Sequence, residues 1–583
     1  MPHTHIQWDT NKGYRHPFLF GIHYLGGVGA DNPRTVTELA MSKYSALLRR
    51  KSQWWAKYRD EDTRIEWRKL AKLPCVSVVK TPSSSAEVEL SEQQVEYVID
   101  ELAGYAALRD EANRCQVSCF ERIWESDTLL SASETDQLVR SLLELEHLPT
   151  CTRSDDGNTI NLIDPMLHCL VYNRTLVSSS HRLPSRPIPA PPKTDIYTVC
   201  PRFALLPSDI WVTTDGQVKL LSYINNVDKE NHAPLYSLLE ASLTKFIPLF
   251  EHTLTDLHRN NPLPQRIAGR CKYTVWDEPE APEYSDDEEG WSTYERELRH
   301  WAMNRPIQLP DIPRDGYPGG IEAKKITVSL RARILQVIVE VTETRLRPNG
   351  PGFSGTPWHV KGMRNERIAA CGVHCLSAVS STTICSGSLE LCLTHPIVGS
   401  EQDNISPAAI QFRMAVTYPR GFSAGDTGAT LRTWGLNDGD ACHQHIGETP
   451  LRSGLSLVFP NIYQHRQTPF ELIDPTRQGR LTLLMFYFID PDISPIVSTS
   501  VVAPQQKEWI RKALIAALST KIPIELIREI FEHVSGLMDL EEAEDYRRAF
   551  LDIQANFRQA SDNYHFCIPF DVWNGPDFSY LTS

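Results

Sequence analysis

The sequence predicts an α+β protein, with helical regions at both ends around a β-rich centre. Three observations support this. Between residues 35 and 150, apolar residues recur at helical spacing beside capping signals. From "KKITVSLRARILQVIVEVTE" to "LTLLMFYFIDPDISPIVSTS" the chain is β-branched, alternating and broken by Gly and Pro, the pattern of a closed or sandwiched sheet. After residue 504, "QQKEWIRKALIAALST", "PIELIREIFEHVSGLM" and "LEEAEDYRRAFLDIQANFRQA" return to helical periodicity. A chain of 583 residues with 41% apolar and 23% charged content has the composition of a globular protein with a large core.

In chain order, residues 1–181 are expected to be mainly helical. "SEQQVEYVIDELAGYAALRDEA" has apolar residues at helical spacing after a Ser-Glu start, and "SASETDQLVRSLLELEHL" repeats the pattern with a capping-box look. "RLPSRPIPAPPKTD" (182–195) reads as a stiff proline-rich connector. A β-rich domain over 196–503 opens with "IWVTT" and "VKLLSYI", joined by an Asp-Gly turn. It continues with an inserted helix, "APLYSLLEASLTKFIPLFEHTLTDLHR", and an acidic, solvated loop at 276–291. Residues 504–583 form the helical tail.

The N-terminus lacks a basic stretch followed by an apolar run, and no apolar segment reaches the length of a membrane span. Thirteen cysteines without a disulfide framework fit reduced thiols. A cytoplasmic protein is expected.

A net charge of −14 argues against a general nucleic-acid coat. Phosphate attraction is local, however, and screened within about 8 Å at physiological salt. The segment 43–72 is basic and aromatic. Arg49, Arg50, Lys51, Lys57 and Arg59 are its candidate tRNA-binding residues, with Trp54, Trp55, Tyr58 and Trp67 available for stacking. An amphipathic helix that buries the aromatics and solvates the charges accounts for the same pattern.

Several signatures are missing: GxxxxGK[ST], GxGxxG after a strand, HExxH and GxSxG. "CGVHC" and "CHQH" lack the usual zinc spacing, and strand alternation would split their ligands between two faces. No metal and no cofactor are expected.

The strongest local signal is 457–491, "LVFPNIYQHRQTPFELIDPTRQGRLTLLMFYFIDP", taken with "WHVKGMRNERIAA" at 358–370. Iron and 2-oxoglutarate oxygenases on a double-stranded β-helix hold their metal with two histidines and one carboxylate. His359 and His465 stand where those histidines would, but Lys361 stands where the carboxylate would.

These stretches, with "NLIDPMLHCLVYNRT" and "LPSDIWVTTDGQVKLLSYINNVDKENHAPLY", resemble a fungal family known only as a domain of unknown function. The family's WHVEG reads WHVKG here. Its GHRK reads Gly479-Arg480-Leu481-Thr482, so the arginine that would hold 2-oxoglutarate aligns with Leu481. The resemblance implies a central double-stranded β-helix (jelly roll) with a degenerate metal site. A lysine ammonium repels Fe²⁺ and supplies no oxygen ligand.

A divergent branch of that family resembles the arginine-containing cyclodipeptide synthases. This resemblance implies an aminoacyltransferase that joins arginyl-tRNA and a second aminoacyl-tRNA into a cyclo-arginyl diketopiperazine without ATP. Such an enzyme needs positioning, a general base, oxyanion donors and carboxylates for a guanidinium. His359 and His465 are the candidate bases. Lys361, Asn461 and Arg480 are the candidate donors, and Glu366, Glu471 and Asp474 the candidate guanidinium acceptors. Iron oxygenation of a specialised metabolite, or non-catalytic binding on the same fold, are the alternatives.

Overall fold

Helix and sheet are mixed along the chain in the computed structural model, which describes residues 14, 31–154, 157–177, 185–191, 198–273, 278–377 and 404–573. The predicted helices form where their caps and periodicity place them. Helix α1 (Val36–Arg49) is capped by Thr35, and α2 (Glu61–Leu70) by Asp60. The capping boxes Ser91/Gln94 and Ser131/Glu134 start α3 (Glu92–Leu108) and α4 (Ala132–Leu143). The inserted helix is α5 (Ala233–Leu257). The acidic stretch is only partly a loop: Asp287 caps α6 (Glu288–Asn304), and Glu288 and Glu289 sit in its first turn, where the helix dipole favours them. The tail holds α7 (Lys507–Leu518), α8 (Ile524–Glu532) and α9 (Leu540–Ser561). Among the described residues no helix is long and apolar enough to cross a membrane.

The expected boundary at residue 181 does not separate two domains. Strands β1 (Trp124–Ser126) and β2 (Thr159–Ile163), both from the N-terminal region, pair into the central sheet. Such short strands carry too few residues for an alternation to register in the sequence. Of the proline-rich connector, Arg186–Pro187 pairs with Leu176–Val177; residues 182–184 and 192–195 lie outside the described residues.

Strands β3 (Ser208–Val212) and β4 (Val218–Leu220) form the hairpin around the Asp-Gly turn. The centre then runs β5 (Arg333–Leu346), β6 (Ile368–Ser377), β7 (Ala409–Ala415), β8 (His443–Pro450), β9 (Ser456–Pro460), β10 (Gln464–Gln467) and β11 (Gly479–Ile489). The large sheet has the order β4-β3-β5-β11-β6-β9-β1, and the smaller one β8-β7-β10. Residues 353–361 extend the smaller sheet beyond β10 through the bridges Phe353–Phe470 and His359–His465. All these strand pairs are antiparallel.

From β5 onward the chain crosses repeatedly between the two sheets, which meet face to face where Phe412 of β7 packs on Phe459 of β9 at 5.0 Å. Helix α5 covers the outer face of the large sheet, with Phe246 against Phe486 and Phe250 against Phe488. Gly372 permits this approach, since a Cβ there would meet Phe250 at 2.9 Å.

Candidate functional site

The register of the large sheet decides which side chains face the space between the sheets. Glu340 lies opposite Met485, Cys371 opposite Tyr487 and Thr344 opposite Leu481. Strand alternation puts Glu340, Leu481, Met485, Tyr487 and Cys371 on the inner face. The neighbouring Arg480, Thr482, Phe486 and Phe488 face outward.

From the smaller sheet, His359 and His465 point into this space. They are direct cross-strand partners, each donating its backbone N–H to the other's carbonyl (3.2 and 2.9 Å). Their ring centroids are 4.4 Å apart, and Phe459 lies 4.7 Å from His465. Both residues are half-buried. His359 Nδ1 lies 2.8 Å from the Pro357 carbonyl, so this nitrogen carries the proton and Nε2 keeps its lone pair.

Burial pushes His359 down to about 4, with the Lys361 and Arg558 charges adding to the effect. Burial, then His359 and Lys361, hold His465 well below the ordinary histidine value. Two neutral imidazoles therefore share one cleft at neutral pH.

Lys361 is two residues beyond His359 and enters the same space. Its Nζ pairs with Glu340 Oε2 at 2.5 Å and lies 4.4 Å from the centre of the Tyr487 ring, whose hydroxyl donates to the same carboxylate oxygen. Glu340 and Tyr487 are not among the residues the sequence motifs single out. Glu340 nevertheless carries a sequence signal, as a lone acid on the inward phase of the apolar strand "ILQVIVEV".

Other candidates do not reach the cleft. Asn461 is no oxyanion donor: its Nδ2 donates to the Lys361 and Ile368 carbonyls at 2.8 and 3.1 Å, and its Oδ1 accepts from Lys361 N at 2.9 Å. Both amide hydrogens are thereby used in holding the turn between 361 and 368. Glu366 is no guanidinium acceptor either. It is fully buried and accepts from Met363 N and Leu205 N at 2.7 and 3.1 Å, and burial raises it to about 7.

Glu471 is exposed, and Asp474 caps the loop by accepting from Thr476 N and Oγ1. Arg480 faces outward and lines a separate cavity of about 830 Å³ with Lys245, Asp136 and Ser377. Leu481 takes the inward position.

The basic segment is mostly built into the fold. Arg49 is buried, donating to the Val117 carbonyl and lying over Tyr105. Arg50 donates to the Glu448 carbonyl. Trp54, Tyr58 and Trp67 are buried, and Arg109 covers Trp55 at 3.7 Å. Lys57 and Arg59 are exposed, and Lys51 half-buried. The stacking surface expected for tRNA bases is thus largely consumed by the core.

The cysteine and histidine groups with zinc-ligand chemistry are also dispersed. His374 bonds Ser456 on the outer face and His443 the Phe566 carbonyl. Among the described residues, no three His, Cys, Asp or Glu side chains converge on one point.

Comparison with curated proteins finds no match. Among solved structures, a prolyl-4-hydroxylase from Pseudomonas putida aligns at 13% identity over 26% of this chain. The alignment spans about half (52%) of that chain with a TM-score of 0.13, too slight a likeness for any argument about fold or chemistry. No comparison supports the resemblance to cyclodipeptide synthases. The family described as "Protein of unknown function (DUF4246)" matches residues 92–384 and 392–513, the greater part of the sequence including both histidine strands, and the chain belongs to that family.

Proposed function

We propose that this protein is built on the double-stranded β-helix of the iron and 2-oxoglutarate oxygenases, and that its two-histidine cleft binds a small organic molecule without an iron centre. The strand order supports the first part. In the large sheet β5-β11-β6-β9, and in the smaller one 353–361, β10, β7 and β8, follow the alternating path of an eight-stranded jelly roll. The histidines then occupy the two strands from which that fold presents its metal ligands.

One observation supports the second part: the Lys361 ammonium, two residues from His359, is ion-paired to Glu340 on the inner face of the large sheet, and its charge acts on both histidines. The donor set does not fit the oxygenase group. The third ligand position carries a cation, and the inward residue near the start of β11 is Leu481, which cannot pair with a cosubstrate carboxylate. What remains is a cleft with two neutral imidazoles able to accept or donate hydrogen bonds, and an ammonium already neutralised by Glu340. Aminoacyl-tRNA chemistry keeps no specific observation in its favour, because Asn461, Glu366 and the aromatic segment are committed to structure.

The test is metal content and turnover after anaerobic exposure to Fe(II) and 2-oxoglutarate. Wild-type protein is expected to retain no stoichiometric iron and to release no succinate. Lys361→Asp is expected to gain divalent-metal binding, read with Co(II), at about one ion per chain. Wild-type protein holding about one iron per chain, with 2-oxoglutarate-dependent succinate release, would overturn the reading.

A further inference from the structure

The C-terminal tail begins with two helices that keep apolar surface in the open. Eight of the twelve residues of α7 are apolar, yet none of them is buried. In α8, Ile527 and Phe531 are buried, but Leu526 and Ile530 are 48% and 42% exposed. A helix apolar over so wide an arc is ordinarily enclosed on more than one side.

The two helices pack together as an antiparallel hairpin, with Lys507 at the start of α7 lying 5.9 Å from the ring of Phe531 at the end of α8. Their side-chain rows match. On α7 the covered row is Ile510, Leu514 and Leu518, all half-buried; one residue earlier come Trp509, Ala513 and Ala517, of which both alanines are exposed. On α8 the covered row is Ile527 and Phe531, and one residue earlier come the exposed Leu526 and Ile530. One residue earlier again stand Lys512 and Glu529, both exposed. A local twofold relates antiparallel helices, so equal helical offsets from the covered rows fall on the same side of the hairpin. That side is an apolar strip edged by a cation on α7 and a carboxylate on α8.

The charges of the two helices are opposite. Helix α7 carries Lys507, Arg511 and Lys512 against Glu508, and α8 carries Glu525, Glu529 and Glu532 against Arg528. Arg511 is satisfied within its own helix by Glu508, whereas no ion pair engages Lys512 or Glu529 among the described residues. Such a surface is complementary to itself. Rotation about a twofold axis parallel to the helices lays α7 on the partner's α8, apolar row on apolar row, with Lys512 beside the partner's Glu529.

We propose that this side of the α7–α8 hairpin is a dimer interface, occupied by the same hairpin of a second copy in a four-helix bundle. A twelve-residue helix is about 18 Å long, so the contact stays below the roughly 1,000 Å² of a stable interface and the dimer is weak and reversible. The interface is independent of the two-histidine cleft.

Sedimentation velocity of the full chain over a rising concentration series tests this. Wild-type protein is expected to pass from monomer to dimer. Leu526→Ser combined with Ile530→Ser should weaken association by roughly tenfold or more, because four apolar side chains per dimer lose their cover. Ile334→Ser, at an exposed position of the large sheet, should associate as wild type does. A second pair of variants leaves the apolar strip intact. Lys512→Glu and Glu529→Lys should each weaken association alone, and an equimolar mixture of the two should restore it, since each copy then supplies the charge that the other lacks.

A chain that stays monomeric at every concentration, a dimer unweakened by the double serine variant, or charge variants that fail to associate when mixed would each overturn the proposal.

Discussion

Asn461 and Glu366 show how a polar residue in a motif can serve architecture. The Asn461 side chain makes three hydrogen bonds to backbone that would otherwise be left unsatisfied in a buried turn. Asn461→Ala is therefore expected to destabilise the protein by about 2–4 kcal/mol, several times the net worth of one hydrogen bond, because buried backbone groups lose their partners. Urea unfolding checks this, and an unchanged midpoint would free Asn461 for a chemical role. Glu366 similarly pins Leu205 to the turn that presents Lys361. Its residue type suggested recognition of a guanidinium, but it is fully buried and each of its oxygens accepts a backbone N–H.

At the scale of elements, the segment 43–72 and strand β11 both depend on which face turns inward. Arg49 lies inside the N-terminal helices, so Arg49→Glu would bury an unpaired charge and cost about 3–5 kcal/mol. Lys57→Glu, on an exposed position, is expected to leave stability within about 0.5 kcal/mol. Thermal melts of the two variants distinguish a packed segment from a solvated binding face. Helix α5 lies so close to β6 that Gly372→Ala would push a methyl against Phe250 and Phe246; a loss of about 1–3 kcal/mol is expected from this overpacking. A neutral result would mean that the helix can shift away from the sheet.

For the whole molecule, buried histidines set the response to acid. Among the described residues, His168, His359, His374, His443 and His565 are each held down to about 4, His445 to about 3, and His465 lower than its ordinary value, in every case first by burial. Between pH 4 and 6.5 the unfolded chain therefore binds protons that the folded chain does not, and stability falls as the pH is lowered through that range.

Five carboxyls oppose this: Glu38, Glu101, Asp127, Glu366 and Asp490 are raised by burial, Glu101 and Glu366 to about 7 and Asp490 to about 6. The seven histidines outnumber them, so a lower urea midpoint at pH 5 than at pH 7, with proton uptake on unfolding, is expected. Greater stability at pH 5 would show that the histidines are charged in the folded protein.

Local order is legible in the sequence wherever neighbours within a few residues determine the outcome. The Ser91 and Ser131 capping boxes, the α5 periodicity and the Asp-Gly turn of β3–β4 each depend on contacts within one or two turns of chain. The two-residue step from His359 to Lys361 predicts one shared face by alternation, although Lys361 itself lies in a bend held by Asn461. The sequence does not say that Lys361 meets Glu340 and Tyr487, that Arg480 faces outward while Leu481 faces the cleft, or that Arg49 lies in the core. Those outcomes depend on strand register and on contacts between distant segments. A one-residue change of register reverses every side chain of a strand, and a charge acquires its partner only when the sheets close.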